Sequence, residues 1–392
     1  MTITLSREQL NTFQIKNKIY TYLSSLFTKA FFKVTSNTFT ILLRGQTGVI
    51  QTEIPCTLSS KDSNVNPIYY SVDFSKWQTA LQKFDIVSSI NLTFQKNLLK
   101  ISSEECSDVI NLGVVYYKDD SGEALVLNSF INTKRSEMLS KKHIELNEDI
   151  IESLTLADSL FTAQASSAIN SVGLGMYDIM YADRSVVLKI LLNEALPSEL
   201  FEDLVNEDHI FIHSYLIKLL SLVYRFDNNT YFTPDYSTFY WEDDNTSILL
   251  ISEDRKVALP STEEFEGIKP SDSTSGFEVL PSTLKNGLNF FTGFYDGSVW
   301  KPLTFKAVVN KEVDLYYRHP TTEITKILND TISTSNGEFT IDSETLRKIV
   351  SKICDKFPKD DVLIKFNFDE EAPGIYMEVP GLYEVVLSKL ED

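Results

Sequence analysis

Residues 70–81 read YSVDFSKWQTAL, an apolar strand-like segment that ends in a capping residue and continues as an amphipathic helix. Residues 210–220, IFIHSYLIKLL, and residues 337–346, GEFTIDSETL, have the same form. Each carries Asp, Ser or both at the junction, where a side-chain oxygen can accept a hydrogen bond from the free amides of the first helical turn. The pattern predicts a strand that runs directly into a helix.

This junction occurs six times along the chain. The six copies recur every 61 to 72 residues, which is longer than a typical solenoid repeat. They are Leu5-Ser6, Phe74-Ser75, Leu146-Asn147, Ile212-His213, Leu280-Pro281 and Ile341-Asp342. Each helix is followed by two apolar segments joined by a polar turn, which predicts a β-hairpin. One helix lying over one antiparallel sheet, six times, predicts an α+β fold.

The domain organisation follows from the length of this repeat. The chain has 392 residues, enough for two or three domains. Two helix-plus-antiparallel-sheet units make a domain of ordinary size, so we expect three tandem domains. Polar and basic residues between 118 and 142, and the Ser-rich stretch 269–276, indicate the two linkers. The predicted domains are residues 1–140, 141–273 and 274–392.

The charges are unevenly distributed. The net charge is −19, from 36 basic and 55 acidic residues, which argues against a protein that coats nucleic acid with its whole surface. Five of the six predicted helices are nevertheless net basic, and the exception is the third, which is acidic. Lys76 and Lys83 lie opposite an apolar stripe at about 100° per residue, and Lys218 and Arg225 repeat their spacing. A single helix of this kind is typical of any soluble protein, but the recurrence indicates a row of helices that faces a polyanion.

Other classes of protein find little support. No Gly-rich phosphate loop is present, and His209 and His213 lack a third metal ligand, so we expect no enzymatic activity, no metal and no cofactor. The N-terminus lacks the apolar core of a signal peptide, and no segment approaches the roughly 18 apolar residues of a membrane span. Three widely spaced cysteines are consistent with reduced thiols. We therefore expect a cytoplasmic protein.

The chain resembles the bacterial-type DNA polymerase sliding clamp, the β clamp or DNA polymerase III β subunit family. The resemblance rests on the three quoted segments, on Val257-Ala-Leu-Pro260 and on the terminal strand at residues 383–387. It covers nearly the whole chain, as a pattern more than as identity. The acidic third helix and the polar ending at 388–392 depart from the family pattern. The low overall identity suggests a divergent viral or phage member, which would act in the cytoplasm of a bacterial cell or an infected bacterial host.

The resemblance implies a DNA-replication processivity factor with no catalytic residues. Such a clamp is a homodimer, closed head to tail into a ring around double-stranded DNA, which it binds independently of sequence. It tethers the DNA polymerase, and a clamp loader places it on DNA. The expected DNA-binding residues are Lys16, Lys18, Lys76, Lys83, Lys218, Arg225, Lys285, Arg347, Lys348 and Lys352. The expected pocket for partner peptides is formed by Val187, Pro260, Phe265, Val385 and Leu387.

Two alternatives have the same repeat. A monomeric, open processivity factor would keep the DNA contacts but not the ring. A non-enzymatic viral structural protein built from duplicated α+β units would assemble into large particles and would not need basic helices. Light scattering separates the three, because a clamp should have twice the 44.6 kDa mass of the chain.

Overall fold

The computed structural model describes most of the chain. The described residues are 1–9, 28–44, 48–58, 68–117, 136, 144–160, 171–183, 186–202, 209–223, 230–233, 238–242, 246–251, 259–260, 262–269, 276–295, 301–319, 321–368 and 374–390. Their helices are α1 Phe74–Gln82, α2 Glu148–Ser159, α3 Ser214–Val223, α4 Thr262–Ile268, α5 Pro281–Phe291 and α6 Ser343–Lys356. A short 3-10 turn spans Ser198–Leu200.

The strands fall into an N-terminal and a C-terminal half. The first half contains β1 Thr2–Ser6, β2 Lys29–Val34, β3 Thr38–Arg44, β4 Gly48–Pro55, β5 Thr57–Leu58, β6 Ile68–Asp73, β7 Ser89–Phe94, β8 Leu98–Ser102, β9 Val109–Gly113, β10 Val115–Tyr117, β11 Ile144–Glu145, β12 Ser171–Gly175, β13 Asp178–Ala182 and β14 Val186–Leu191. The second half contains β15 His209–His213, β16 Thr230–Thr233, β17 Thr238–Glu242, β18 Thr246–Ile251, β19 Gly276–Val279, β20 Pro302–Ala307, β21 Val313–His319, β22 Thr322–Leu328, β23 Gly337–Asp342, β24 Ile364–Asn367, β25 Gly374–Val379 and β26 Tyr383–Ser388.

The predicted strand-to-helix junctions precede α1, α2, α3, α5 and α6, whereas most of the first predicted helix lies outside the described residues. The side chains of Asp73, Asn147 and Asp342 cap α1, α2 and α6, each accepting the backbone N–H three positions on, at 3.0, 2.9 and 3.2 Å. These bonds satisfy amides that have no partner within the helix. At α5 the first helical position is Pro281, which has no N–H to satisfy.

The chain divides into two compact units. The first consists of Met1–Leu146 and Leu219–Asp254, and the second of Asn147–Lys218 and Arg255–Asp392. Each unit therefore combines two separate stretches of sequence. The predicted division into three domains remains a prediction.

The first unit contains a five-stranded sheet, β5-β1-β7-β8-β9, and a nine-stranded sheet, β10-β6-β2-β3-β4-β18-β17-β16-β11. Helix α1 packs on β2, β6 and β9. Its Trp77 ring lies 4.9 Å from the ring of Phe32, which is 5.2 Å from that of Phe39. These side chains are fully buried, so the aromatic cluster fixes the helix on the sheet.

The second unit contains an eight-stranded sheet, β15-β12-β13-β14-β26-β25-β24-β19, and a four-stranded sheet, β22-β21-β20-β23. Helices α5 and α6 pack against each other, and α2 contacts β12, β13 and α6. The Phe277 ring stacks on that of Phe366 at 4.8 Å, and the Phe305 ring stacks on that of Phe339 at 5.2 Å. The Phe277 ring also stacks on the Phe305 ring at 6.3 Å, so aromatic side chains connect the two sheets in the core of this unit.

The α+β prediction is confirmed, because every pairing between the described strands is antiparallel and helices pack on the sheets. All six predicted hairpins are present, as β2-β3, β7-β8, β13-β14, β17-β18, β20-β21 and β24-β25. No helix in the described ranges is both long and apolar enough to cross a membrane.

Candidate nucleic-acid interface and partner pocket

Helix α1 has one buried face and one basic face. Phe74, Trp77 and Leu81 are buried on one side, whereas Lys76 and Lys83 are exposed on the other. The arrangement matches the predicted 3.6-residue period. The two lysines therefore extend from a helix that is held rigidly by its apolar face.

Helix α6 has the same amphipathic form but uses some of its basic residues internally. Its Arg347 Nη2 lies 2.6 Å from Glu344 Oε1, and its Lys348 Nζ donates to the Ser159 carbonyl oxygen at 3.1 Å. Lys352 is exposed. Its buried stripe consists of Leu346, Ile349, Val350 and Ile353. Because an ion pair with Glu344 partly cancels the charge of Arg347, Lys352 is the more available cation of the two.

The remaining predicted DNA-binding residues have different surroundings. Lys218 on α3 is exposed, and Lys285 on α5 is half-buried, with its Nζ 3.8 Å from Asp355 Oδ1. A pair of this length near the surface contributes little and leaves the lysine able to bind another anion. Lys16, Lys18 and Arg225 lie outside the described residues.

Two acidic residues of helix α2, Asp149 and Asp158, interact with residues of their own unit. Burial raises the pKa of the Asp158 carboxyl, against a hydrogen bond from Ser214 and the charge of Lys218, which both lower it. Asp149 accepts a hydrogen bond from Asn193 Nδ2 at 2.6 Å and lies in the first turn, where the helix dipole favours a negative charge. Asp158 therefore brings a negative charge to the predicted DNA-binding residue Lys218.

Two residues of the predicted peptide pocket belong to one apolar cluster on the eight-stranded sheet. Val187 on β14 is directly opposite Val386 on β26, which is opposite Tyr376 on β25. Phe265 of α4 packs against Val386 and Tyr376, with Val187 at the margin of the cluster. Two of the predicted residues, Val187 and Phe265, thus lie in one cluster, which we call the socket.

Two predicted pocket residues are on the other face of β26. Successive side chains of a strand alternate between the two faces of a sheet, so Val385 and Leu387 lie on the other face from Val386. They are buried, and Val385 is directly opposite Leu188 and Met377, which are also fully buried. Their assignment to the pocket stays a prediction, and the cluster around Phe265 contains Val386 and Tyr376, which the sequence analysis did not single out. Pro260 is half-buried, outside the cluster formed by the other residues.

Charged side chains border the socket. Lys269 Nζ lies 2.6 Å from Glu384 Oε1 and 2.8 Å from Glu266 Oε1, and 5.4 Å from the centre of the Phe265 ring. Burial lowers the pKa of Lys269, but its hydrogen bonds to Glu266 and Glu384 outweigh that effect and raise it. Lys189 Nζ lies 5.5 Å from the same ring centre. We call Lys189, Lys269 and Glu384 the rim of the socket.

The rim continues into a buried network of polar side chains. Lys189 Nζ is 3.6 Å from Asp178 Oδ2 and 3.7 Å from Glu384 Oε2, and Asp178 Oδ1 is 2.6 Å from His209 Nε2. These groups satisfy one another, as buried charges require. Among the residues that the structure describes, no cluster of His, Cys, Asp and Glu has the form of a metal site.

Two sheet edges carry exposed apolar side chains, which the sequence analysis did not single out. β9 ends the five-stranded sheet and β22 ends the four-stranded sheet. Val109 on β9 is 50% exposed, and Ile327 on β22 is 47% exposed. Phe290 and Phe294, at the end of α5 beside β22, are 45% and 43% exposed. An unpaired edge with apolar side chains is a typical surface for strand pairing with another chain.

Comparisons with known proteins identify the fold. No family model matches the sequence, and no curated protein is similar to it in sequence. Solved structures do match over the whole chain. A DNA polymerase III β subunit from Borrelia burgdorferi has a TM-score of 0.68 at 13% identity, covering 100% of this chain and 99% of that one.

Two further structures agree over 100% of both chains. They are the β subunit of the DNA polymerase of Streptococcus pyogenes, with a TM-score of 0.70 at 12% identity, and the DNA polymerase sliding clamp of Pseudomonas aeruginosa, with a TM-score of 0.72 at 10% identity. Identities this low establish the fold alone. The chain has the fold of the bacterial DNA polymerase sliding clamp.

Proposed function

We propose that this protein is a DNA polymerase sliding clamp, a non-enzymatic processivity factor that acts in the cytoplasm. The observation that carries the proposal is the full-length agreement of the fold with sliding clamps, combined with exposed lysines on the helices of a protein whose net charge is −19. On this proposal the chain has three tandem clamp domains, at residues 1–140, 141–273 and 274–392.

The DNA contacts are electrostatic and independent of sequence. Lys76, Lys83, Lys218 and Lys352 are exposed on three helices whose opposite faces are buried. Lysine is a flexible point charge, which suits weak contacts to successive phosphates better than base readout. Lys16, Lys18, Arg225 and Lys285 are proposed to add to this surface, and Arg347 and Lys348 to contribute less because each makes a close hydrogen bond within the chain, whereas the Lys285–Asp355 pair is longer.

Two copies are proposed to close head to tail. The β9 edge of one protomer would pair with the β22 edge of its partner, and the same contact would form again on the other side of the ring. Strand pairing would satisfy the open edges, and the exposed side chains of Val109, Ile327, Phe290 and Phe294 would be buried. A ring held by two such contacts stays on DNA until one of them opens.

The socket is proposed to hold a short peptide of the DNA polymerase or of the clamp loader. Tethering to a ring that slides on DNA keeps the polymerase at a high effective concentration at the primer end, which accounts for processivity. No covalent bond is made or broken in this mechanism.

The decisive experiment tests topology. Protein at high concentration is mixed with nicked circular duplex, so that dimers assemble around the DNA without a loader, and unbound protein is removed by gel filtration in moderate salt. A clamp co-elutes with the circle and is lost when a restriction enzyme linearises it, because a ring slides off free ends. Protein that stays bound after linearisation, or that never co-elutes, contradicts the proposal.

Light scattering of the same protein addresses the two alternatives. A mass of twice 44.6 kDa supports the clamp, a mass of 44.6 kDa supports an open processivity factor, and large particles support a structural protein.

A further inference from the structure

The socket is already filled by the protein's own side chain. Phe265 is 0% exposed, yet it belongs to a seven-residue helix that packs on the sheet face opposite the fully buried Leu188, Val385 and Met377. In that position it packs against Val386 and Tyr376, which are paired across neighbouring strands. A partner's apolar side chain cannot enter the socket while Phe265 is there.

Helix α4 is short, and Phe265 is the buried residue among its described side chains. Glu264 and Glu266 are exposed. A Cβ added at Gly267 would meet nothing within 4 Å. A helix of seven residues is not stable by itself, so α4 depends on the Phe265 anchor and on the ion pairs of Lys269. Short surface segments anchored by a single buried aromatic side chain can open locally at a small fraction of the free energy of global unfolding.

The rim would remain in place after Phe265 leaves. Lys189 and Glu384 belong to strands, and Lys189 retains Asp178 and Glu384 as partners. Lys269 is the residue after α4; it would lose Glu266 and the Phe265 ring, while Glu384 on β26 stays within its reach. The open socket would therefore present an apolar floor, one aromatic wall and ammonium groups above the position of a ring, which favours an aromatic side chain next to a carboxylate.

We propose that α4 is a displaceable plug, and that the partner docks through an aromatic residue flanked by acidic residues that replaces Glu264-Phe265-Glu266 in the socket. This inference rests on the proposed role of the socket as the partner site. We infer the chemistry of the partner from the chain's own Glu264-Phe265-Glu266 segment, because this segment occupies the socket in the structure. Binding of the partner then requires the closed socket to open, and the apparent affinity falls by the fraction of molecules in which it is open.

The experiment measures binding of a peptide in trans to the full-length protein. The probe is a fluorescein-labelled copy of residues 262–269, TEEFEGIK, followed by fluorescence anisotropy. Phe265→Ala empties the socket, and we expect it to bind the probe about ten- to a hundredfold more tightly than the unmodified protein. A probe with Ala in place of its Phe should bind neither protein. Phe291→Ala is the matched control, because it removes the same fully buried side chain from α5 and should leave probe affinity unchanged.

A second variant covers the case in which Phe265→Ala does not fold. Gly267→Pro disfavours α4 without touching the walls of the socket, and it should also increase probe affinity about tenfold or more. Equal affinity of the unmodified protein and the folded variants overturns the plug, as does equal binding of the Ala probe. The assay contains no DNA, so its failure is separate from that of the clamp proposal: protein that is trapped on circles but shows no affinity gain refutes the plug alone.

Discussion

Removing the exposed lysines from the helix faces should make DNA binding less sensitive to salt. The perturbation is the quadruple variant Lys76→Ala, Lys83→Ala, Lys218→Ala and Lys352→Ala. All four side chains are exposed, so we expect the changes at Lys76, Lys83 and Lys352 each to alter the free energy of unfolding by less than about 0.5 kcal/mol, and the change at Lys218 to cost more because the buried Asp158 loses a neighbouring positive charge. A loss of DNA binding is then a loss of contacts rather than of folded protein.

The magnitude follows from counterion release. Each lysine that binds a phosphate of duplex DNA contributes about 0.9 to the slope of log affinity against log salt concentration. In a dimer, the slope should fall by at least about 2, for one lost contact in each copy, and by at most about 7, for the loss of all four. Affinity should weaken equally for duplexes of different sequence, because phosphate contacts carry no base information.

The assay is anisotropy of a labelled duplex, titrated with protein at several salt concentrations. The control variant replaces Lys96, Lys306, Lys311 and Lys359 by Ala, which removes the same charge from exposed positions in strands and turns. The control should reduce the slope by less than about 1, since its lysines act only through the general field of the protein. If the two variants change the slope equally, or if neither changes it, the assignment of DNA binding to the helix faces is refuted.

Three further results are expected. Ile327→Asp should raise the dimer dissociation constant about a hundredfold or more, measured by light scattering at decreasing concentration, because it puts a charge into the β22 edge. The control Ile332→Asp, at a 68% exposed position outside that strand, should leave a dimer. Monomers from both variants would contradict the edge assignment. Gly276→Ala should lower the free energy of unfolding in urea by more than about 3 kcal/mol, since its Cβ would lie 1.7 Å from the Phe366 carbonyl oxygen. The control Gly113→Ala, whose Cβ meets nothing within 4 Å, should change it by less than about 0.5 kcal/mol. Burial raises the folded-state pKa of Asp158 above its ordinary 3.8, so its contribution to stability is full below 3.8 and is lost as the pH rises through the raised value. The stability of Asp158→Asn minus that of the unmodified protein should therefore be larger at neutral pH than in acid. An equal difference at both pH values would show that this carboxyl does not titrate as described.

Local patterns in the sequence predicted the elements well. The hairpins and the junctions before five helices follow from residues that are adjacent in the chain, such as Asp342, whose side chain caps α6. The cap of α1 is Asp73, one residue before the predicted junction, because its carboxylate reaches the amide three positions on. Signals of this kind act over a few residues and are visible without tertiary information.

The candidate site was less predictable because it depends on faces and on distant pairings. Val385, Val386 and Leu387 are three consecutive apolar residues, and a strand buried on both faces shows no alternation from which to tell them apart. α4 has one buried aromatic residue among exposed acids, which is too little for a helical period. The apposition of Val187 and Val386 joins strands almost two hundred positions apart, which no local pattern encodes.

The interleaving of the two units has a consequence for biosynthesis. β4 pairs with β18, and β14 pairs with β26, so each large sheet waits for a strand made much later by the ribosome. Until residue 251 emerges, the β4 edge is open to aberrant pairing, and the β14 edge stays open until residue 388 emerges. Premature termination would therefore release a chain with an unfinished sheet, and a nascent chain of this protein should be an early client of chaperones that shield strand edges.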